Sequence, residues 1–230
     1  MPLIDVICVS HSYPSGNGRR PVLSDVSVAL SEQRIGIIGA NGSGKSTFAR
    51  LLNGLVLPDS GQVQVDGHDT RHDGRAVRRL VGFCFTDPDA QIVMPTVRED
   101  VGFGLRRRGL APVEIAARVD RALARFGLAD CADHPSHLLS GGQKQLLALA
   151  AVLVTEPALL IMDEPTTLLD LRNAEVVGRI VADLPQQVIL LTHHLNLLDG
   201  FDRVLVFDEG RLACDDVPAL ASEHYRQLVR

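Results

Sequence analysis

The sequence predicts an α/β fold in which strands and helices alternate at both ends and helices dominate the middle. Short apolar runs at residues 35–38 and 159–162 are typical of strands buried on both faces of a sheet. Residues 62–66 alternate strictly between polar and apolar side chains, which indicates a half-buried strand. Between residues 87 and 154 the apolar positions follow a helical period instead.

The other elements follow from the same patterns and from turn residues. Residues 14–18 form a polar, glycine-containing turn between two strands, Pro112 suits a first helical turn, and Gly127 suits a helix end. Further strands are expected at residues 3–10, 22–30, 34–39, 80–85, 188–191 and 204–207, and helices at residues 45–56, 96–108, 112–126, 142–154 and 171–183.

At about 100–200 residues per domain, a chain of 230 residues allows one large domain or two small ones. The order of the elements predicts a single domain over residues 1–230. Residues 1–86 plus 155–230 are expected to form the α/β core. Residues 87–154 are expected to form an inserted helical subdomain.

Composition excludes several classes of protein. With 46% apolar and 22% charged residues the chain is expected to be globular, and its net charge of −5 argues against a broad nucleic-acid surface. No apolar run approaches the roughly 20 residues of a membrane span, and the first residues lack the pattern of a signal peptide. The four scattered cysteines are expected to be reduced thiols, and residues 106–108, all arginine, a solvated helix end.

Residues 39–46 fit the pattern G-x-x-x-x-G-K-[ST] between an apolar strand and a helix. In this pattern, backbone N–H groups of the glycine-rich turn surround phosphates and the lysine reaches the β- and γ-phosphates. Lys45, one of only two lysines, therefore predicts a site for nucleotide phosphates. The expected phosphate-binding residues are Gly39, Ala40, Asn41, Gly42, Ser43, Gly44, Lys45, Ser46 and Thr47.

A second motif narrows the chemistry. An apolar strand ends in Asp163 and Glu164, and a carboxylate in this position is able to hold Mg²⁺ through water while its neighbour orients an attacking water. Asp163 and the Ser46 hydroxyl are therefore the expected magnesium residues, and Glu164 is the expected catalytic residue.

A third motif identifies a family. Residues 139–143 read L-S-G-G-Q, and together with the phosphate loop and the paired acids they resemble the nucleotide-binding subunits of ABC transporters. Glycines after Ser140 at a helix start would leave N–H groups able to bind a γ-phosphate. The resemblance implies that Ser140, Gly141, Gly142 and Gln143 complete the ATP site of a second subunit in a head-to-tail dimer.

The resemblance also implies a P-loop NTPase core of the ABC type, with an antiparallel β subdomain and an inserted helical subdomain. It assigns Tyr13 to stacking on adenine, His193 to the γ-phosphate as a switch residue, and Asp170 to the loop of residues 165–170 that links the two ATP sites. Lys144, directly after the signature, is a candidate for an interface role.

One position departs from the family pattern. The residue after the strand that ends at Phe85 is normally glutamine, which meets Mg²⁺ and the attacking water, but here it is Thr86. The threonine hydroxyl is able to bind a metal, but its side chain is shorter than that of glutamine and reaches less far. Gln91 does not replace the glutamine by register, so Thr86 is kept as a candidate metal residue.

Two longer stretches, residues 85–91 and 96–104, resemble energy-coupling factor (ECF) ATPases, which power uptake of vitamins and of cobalt or nickel. Residues 192–195 and 201–207 resemble the biotin-type members. The acidic residues Asp87 and Asp89 would receive basic residues of a membrane partner.

The sequence therefore predicts an ATPase subunit of an ECF-type importer of biotin, with cobalt or nickel as alternative cargo. Expected partners are a second ATPase subunit, identical or a close paralogue, and integral-membrane coupling and substrate-binding subunits. The expected location is the cytoplasmic face of the cell membrane. Nucleic acid is not an expected partner. The alternatives are a soluble ABC-type ATPase acting on nucleic acid or ribosomes, and a small-molecule kinase, which leaves the signature unexplained.

Overall fold

The computed structural model describes residues 1–16, 18–106, 108–167 and 169–229, and only the backbone of Leu171. Asn17 of the predicted turn, Arg107 of the predicted basic helix end and Leu168 of the loop at residues 165–170 lie outside the described residues. The strands of the described chain are β1 (Ile4–Ser15), β2 (Gly18–Leu30), β3 (Arg34–Gly39), β4 (Ser60–Val65), β5 (His68–Asp69), β6 (Val81–Cys84), β7 (Leu159–Asp163), β8 (Gln187–Leu191), β9 (Arg203–Asp208) and β10 (Arg211–Asp216). The helices are α1 (Lys45–Leu52), α2 (Gly74–Leu80), α3 (Val97–Phe103), α4 (Pro112–Arg125), α5 (Gly141–Leu153), α6 (Leu171–Ala182) and α7 (Pro218–Leu228).

The strands form two sheets. The four-stranded sheet has the order β2-β1-β4-β5 and is antiparallel, and the six-stranded sheet has the order β10-β9-β3-β8-β7-β6. In the second sheet β3 pairs in parallel with β8 and β9, and β7 pairs in parallel with β8. The predicted α/β class with an antiparallel sheet is therefore confirmed.

The chain divides into two compact units. Unit 1 comprises residues 1–82, 158–163 and 184–230, and unit 2 comprises residues 83–157 and 164–183. The predicted subdomain boundaries at residues 87 and 154 stay a prediction.

The parallel strands of unit 1 are apolar because both of their faces are covered. Every residue of β7 and β8 is buried, and so are the last five residues of β3. Side chains such as Ile37, Ile161 and Ile189 have no exposed surface. Since the carboxyl ends of neighbouring parallel strands meet at one sheet edge, polar residues after β3, β7 and β8 are brought together there.

The β1–β2 ladder is irregular where it approaches the phosphate loop. His11 pairs with Leu23 and Ser12 pairs with Pro21, so Val22 is an extra residue of β2. Such a bulge turns the neighbouring backbone out of the regular ladder. The carbonyl oxygen of Val22 lies close to Gly44, in the turn before α1, and to Gly210, in the turn between β9 and β10.

In unit 2 the helices begin at capping residues. Thr96 caps α3 through a capping box with Glu99, and Ser140 caps α5 in the same way with Gln143. Pro112 occupies the first turn of α4, as predicted. These caps satisfy N–H groups that a helix start would otherwise leave without partners.

Two predicted helices are shorter in the structure. Helix α1 ends at Leu52 rather than residue 56, because Asn53 and Gly54, with a φ of +69°, end it. Helix α3 ends at Phe103, so Arg106 and Arg108 follow the helix rather than forming its last turn. The sequence patterns also missed α2, β10 and α7.

All four cysteines are free thiols, as predicted. Within the described residues, no helix combines the length and the apolar character that a membrane crossing requires.

Candidate functional site

The phosphate loop at residues 39–46 joins β3 to α1 and requires glycine at two positions. Gly39 has a φ of +150°, and a Cβ there would lie 2.2 Å from the Phe207 carbonyl oxygen. Gly44 has a φ of +103°, and its Cβ would lie 2.8 Å from the Val22 carbonyl oxygen. The motif glycines are therefore needed for packing as well as for exposing N–H groups.

The backbone of unit 1 holds this loop in place. Gly210 N–H donates to the Ser43 carbonyl oxygen at 3.1 Å, and Ser24 N–H donates to the Gly210 carbonyl oxygen at 2.9 Å. The turn between β9 and β10 thereby fixes the loop to β2. The buried hydroxyl of Ser43 has no hydrogen-bond partner among the described residues. Because buried polar groups are normally paired, this hydroxyl fits a site that receives phosphate oxygens.

The ammonium group of Lys45 lies within the loop. Lys45 is 6% exposed, and its Nζ donates to the carbonyl oxygens of Gly39 at 2.6 Å and Ala40 at 3.0 Å. These carbonyl groups hold a positive charge at the start of α1, next to backbone N–H groups of the same loop. The arrangement concentrates N–H donors and positive charge, as a binding site for phosphate groups requires.

Ser46 and Asp163 meet at the predicted metal position. The Ser46 hydroxyl donates to Asp163 Oδ1 at 2.9 Å, and Asp163, at the end of β7, is 2% exposed. A guanidinium nitrogen of Arg50 lies 3.9 Å from Asp163 Oδ2. Hydroxyl and carboxylate oxygens are ligands that Mg²⁺ prefers, so this donor set fits a magnesium ion.

Tyr13 and His193 also belong to unit 1. The Tyr13 hydroxyl lies 3.5 Å from Thr47 Oγ1, next to the phosphate loop. His193 follows β8, is exposed, and packs its ring on His194 with a centroid distance of 4.0 Å. Because Thr192 N–H donates to the Ile37 carbonyl oxygen, this segment stays beside the carboxyl end of β3. Unit 1 thus brings the phosphate loop, Asp163 and the His193 segment to one sheet edge.

Glu164 follows Asp163 in the chain and opens a segment of unit 2. Its φ of +53° is rare for a residue other than glycine, and such strained backbone clusters at functional positions. Thr167 Oγ1 donates to Glu164 Oε2 at 3.2 Å. Asp170, which the resemblance assigns to the inter-site loop, accepts from Asn173 N–H and so caps α6.

The signature residues form the start of α5 in unit 2. Gln143 N–H donates to Ser140 Oγ at 3.3 Å, and Ser140 N–H donates to Gln143 Oε1 at 3.0 Å. A Cβ at Gly142 would lie 2.5 Å from Asn173 Nδ2 of α6. Sequence reasoning missed both contacts, although the spacing S-x-x-Q signals the capping box. A Cβ at Gly142 would therefore force the Asn173 side chain to move, independently of any ligand.

Lys144 is paired within its own unit. Its Nζ donates to Asp89 Oδ1 at 2.7 Å and Oδ2 at 3.0 Å. The sequence analysis, which expects Asp87 and Asp89 to receive basic residues of a membrane partner, did not predict this pair. Asp89 already has a basic partner from the same chain, and Asp87 accepts from Asp89 N–H.

Thr86 lies half-buried after β6, in the loop at residues 85–91. Gln91 closes this loop, because its Oε1 accepts from Phe85 N–H at 3.1 Å and its Nε2 donates to the Ala148 carbonyl oxygen at 3.2 Å. The side chain of Gln91 thus connects the loop to α5. This contact accounts for Gln91 without a role at the metal.

A family model described as "ABC transporter" matches residues 23–167, more than half of the chain. The chain belongs to the ABC transporter family. The biotin transport ATP-binding protein BioM of Rhizobium etli is 52% identical over 92% of this chain and 94% of that protein. The energy-coupling factor transporter ATP-binding protein EcfA1 of Caldanaerobacter subterraneus is 41% identical, over 91% of this chain and 79% of that protein.

A solved dimeric ATP-binding cassette, MJ0796 in a post-hydrolysis state with ADP and Pi, matches this ATP-binding subunit with a TM-score of 0.82 and 26% identity. The match covers 94% of this chain and 98% of that chain. The predicted family and the prediction of an ATPase are confirmed. The chain is an ATP-binding subunit of an ABC transporter of the ECF type.

Proposed function

We propose that this ATP-binding subunit drives the uptake of biotin through membrane partners by binding and hydrolysing ATP. The contact that carries the catalytic part is the 2.9 Å hydrogen bond between Ser46 and Asp163 beside the buried ammonium of Lys45. The cargo is supported by the relative named for biotin transport, whose identity to this chain is 52%. Cobalt and nickel remain the alternative cargo.

In this proposal the loop at residues 39–46 surrounds the phosphates with backbone N–H groups, and Lys45 neutralises the β- and γ-phosphates. Thr47 follows at the start of α1, and the ring of Tyr13 stacks on adenine. Ser46 and Asp163 would hold Mg²⁺, and Thr86 is a further candidate ligand. When bound, Mg²⁺ neutralises charge on the β- and γ-phosphate oxygens.

Hydrolysis requires a base and a group that responds to the γ-phosphate. Glu164 accepts the proton of the attacking water, which its carboxylate orients. His193 contacts the γ-phosphate. After hydrolysis this contact is lost, so the position of His193 depends on the nucleotide state.

The proposed partner at the nucleotide is a second ATPase subunit, identical or a close paralogue. The dimeric form of the cassette MJ0796 supports this arrangement. In the dimer, the start of α5 with Ser140, Gly141, Gly142 and Gln143 faces the γ-phosphate of the other subunit, and Asp170 lies in the loop that links the sites. ATP binding closes the dimer and hydrolysis reopens it.

The remaining partners are integral-membrane coupling and substrate-binding subunits, and the proposed location is the cytoplasmic face of the cell membrane. Purification of the tagged chain from native membranes tests this. We expect integral-membrane proteins to copurify with it. The complex in liposomes is expected to take up radiolabelled biotin only when ATP is supplied on the side of the membrane where the ATPase subunit lies. Lys45→Ala should abolish this uptake.

Three outcomes would change the proposal. Uptake of Co²⁺ or Ni²⁺ instead of biotin by the same liposomes would replace the cargo. Consistent recovery of the chain with DNA or ribosomes and no membrane protein would favour the soluble ATPase. Biotin uptake unchanged by Lys45→Ala would contradict the energising role.

A further inference from the structure

His11, on β1, is a buried histidine that the proposed function leaves unused. It is 8% exposed, and both ring nitrogens lack a hydrogen-bond partner among the described residues. Asp59 Oδ1 lies 4.0 Å from His11 Nδ1, beyond hydrogen-bond distance. Since an aliphatic side chain would fill the same space without buried unpaired nitrogens, filling space alone does not explain an aromatic ring at this position.

The ring of His11 contacts Tyr13. The two ring centroids are 4.7 Å apart and the ring planes are nearly perpendicular, at 84°. This edge-to-face arrangement is a favourable geometry for aromatic pairs. The hydroxyl of Tyr13, at the other end of the side chain, lies 3.5 Å from Thr47 Oγ1 in α1. Tyr13 is therefore held at its ring by His11 and at its hydroxyl beside the phosphate loop.

An ion pair fixes the strand between these two residues. Arg19 donates to Asp59 Oδ1 at 2.6 Å, to Asp59 Oδ2 at 2.8 Å and to the Ser12 carbonyl oxygen at 2.7 Å. Ser12 N–H in turn donates to Asp59 Oδ2 at 2.7 Å. Both backbone groups of Ser12 are thus bound by the Asp59–Arg19 pair, which adds to the ladder with β2 in fixing the strand between His11 and Tyr13.

We propose that His11 is a positioning residue for nucleobase binding: its ring orients the ring of Tyr13 for stacking on the base, without contact between His11 and the nucleotide. This inference rests on the proposed role of Tyr13. It predicts that His11 affects only the part of the affinity that depends on the base. The phosphate loop, held by Gly210 and Ser24, binds phosphates independently of it.

The test compares dissociation constants for ATP and for inorganic tripolyphosphate, measured by calorimetry on the intact chain. Tyr13→Ala establishes the contribution of the base and is expected to weaken ATP binding about tenfold, with tripolyphosphate unchanged. His11→Gln removes the ring and is expected to weaken ATP binding about three- to tenfold, again with tripolyphosphate unchanged. His11→Phe keeps an aromatic ring and should stay within about twofold of the native chain.

Two further variants complete the experiment. In the Tyr13→Ala background, His11→Gln is expected to add no loss, because the residue it orients is absent. His72→Ala, at an exposed histidine of the same unit, serves as the matched control and should change neither constant. Thermal unfolding of each variant shows whether it is folded.

The possible failures are distinguishable. If Tyr13→Ala leaves ATP binding unchanged, the assignment of Tyr13 is wrong and the inference falls with it. If Tyr13→Ala weakens ATP but His11→Gln does not, only the role of His11 is overturned. A parallel loss of tripolyphosphate affinity in His11→Gln, or equal losses in His11→Gln and His11→Phe, would make His11 a structural residue and overturn the proposal.

Discussion

The phosphate loop of unit 1 and the signature region of unit 2 are stabilised in different ways. Residues 39–46 are fixed by backbone hydrogen bonds and by glycines in conformations that exclude side chains. The signature region is held by side chains: Ser140 with Gln143, Lys144 with Asp89, and Gln91 with the loop at residues 85–91. The comparison indicates that the first region is held rigid by its backbone geometry. The second region depends on polar side-chain pairs, which are able to change partners at a lower free-energy cost.

The largest effect is expected at the phosphate loop. Gly44→Ala places a Cβ 2.8 Å from the Val22 carbonyl oxygen at a φ of +103°, which should lower the free energy of unfolding by about 2–5 kcal/mol. ATP binding should be lost. Gly42→Ala is the matched control, because at its φ of +81° no atom lies within 4 Å of the added Cβ. We expect it to cost only about 1–2 kcal/mol. Equal losses in urea unfolding would contradict the packing role of Gly44.

The corresponding glycine of unit 2 should be more forgiving. Gly142→Ala brings a Cβ within 2.5 Å of Asn173 Nδ2, the end of a side chain that is able to move. We expect a loss of about 1–3 kcal/mol in urea unfolding. Combining it with Asn173→Ala should recover most of that loss. If the double variant is no more stable than Gly142→Ala alone, a clash with Asn173 is not the cause.

One carboxyl group in each unit is expected to respond to pH in the opposite direction from the other. Burial raises the pKa of Asp100 in unit 2, although it accepts from Val93 N–H and Met94 N–H. In unit 1, desolvation would raise the pKa of Asp59, but hydrogen bonds from Ser12 and Arg19 and the charge of Arg19 hold it below its usual range. The pKa of Asp100 is raised in the native state and is about 4 in the unfolded state. Between these two values the native state binds more protons than the unfolded state, so stability rises as pH falls.

Below a pH of about 4 the contribution of Asp59 is lost as its native carboxylate is protonated. Asp100→Asn should therefore remove the rise in stability on acidification, with a change of about 1 kcal/mol or less at neutral pH. Asp59→Asn, the control, should reduce the fall at lower pH, to which Glu32 and Asp69, whose pKa values are also lowered, contribute as well. Free energies of unfolding measured across this pH range check both signs, and an unchanged rise in Asp100→Asn would refute the assignment.

The smallest effect concerns the pair of Lys144 and Asp89. The Asp89 side chain is 63% exposed, so solvent screens the interaction. A double-mutant cycle with Lys144→Met and Asp89→Asn should give a coupling energy of about 0.2–1 kcal/mol that decreases with added salt. A coupling that salt does not reduce would show that the pair is held by more than surface electrostatics.

The same difference explains what the sequence was able to predict. The phosphate loop is contiguous and its chemistry uses backbone groups, so the pattern of residues 39–46 predicts a phosphate site without knowledge of tertiary contacts, and Asp163 is predicted from the apolar strand before it. The pair of Lys144 and Asp89 joins residues 55 positions apart and leaves no local pattern. Likewise, the contact of Gly142 with Asn173 depends on the packing of α5 against α6. Strand β10 and helix α7 were missed because their apolar positions form no strong period.

We propose that Glu164 is the base for ATP hydrolysis, a role separate from the phosphate binding proposed for Lys45. It is tested most directly by measuring ATP turnover and ATP affinity of Glu164→Gln in parallel, with Lys45→Ala as the variant that lacks phosphate binding. We predict that Glu164→Gln loses about 10²-fold or more of its turnover and keeps native ATP affinity. Undiminished turnover in Glu164→Gln would contradict the account.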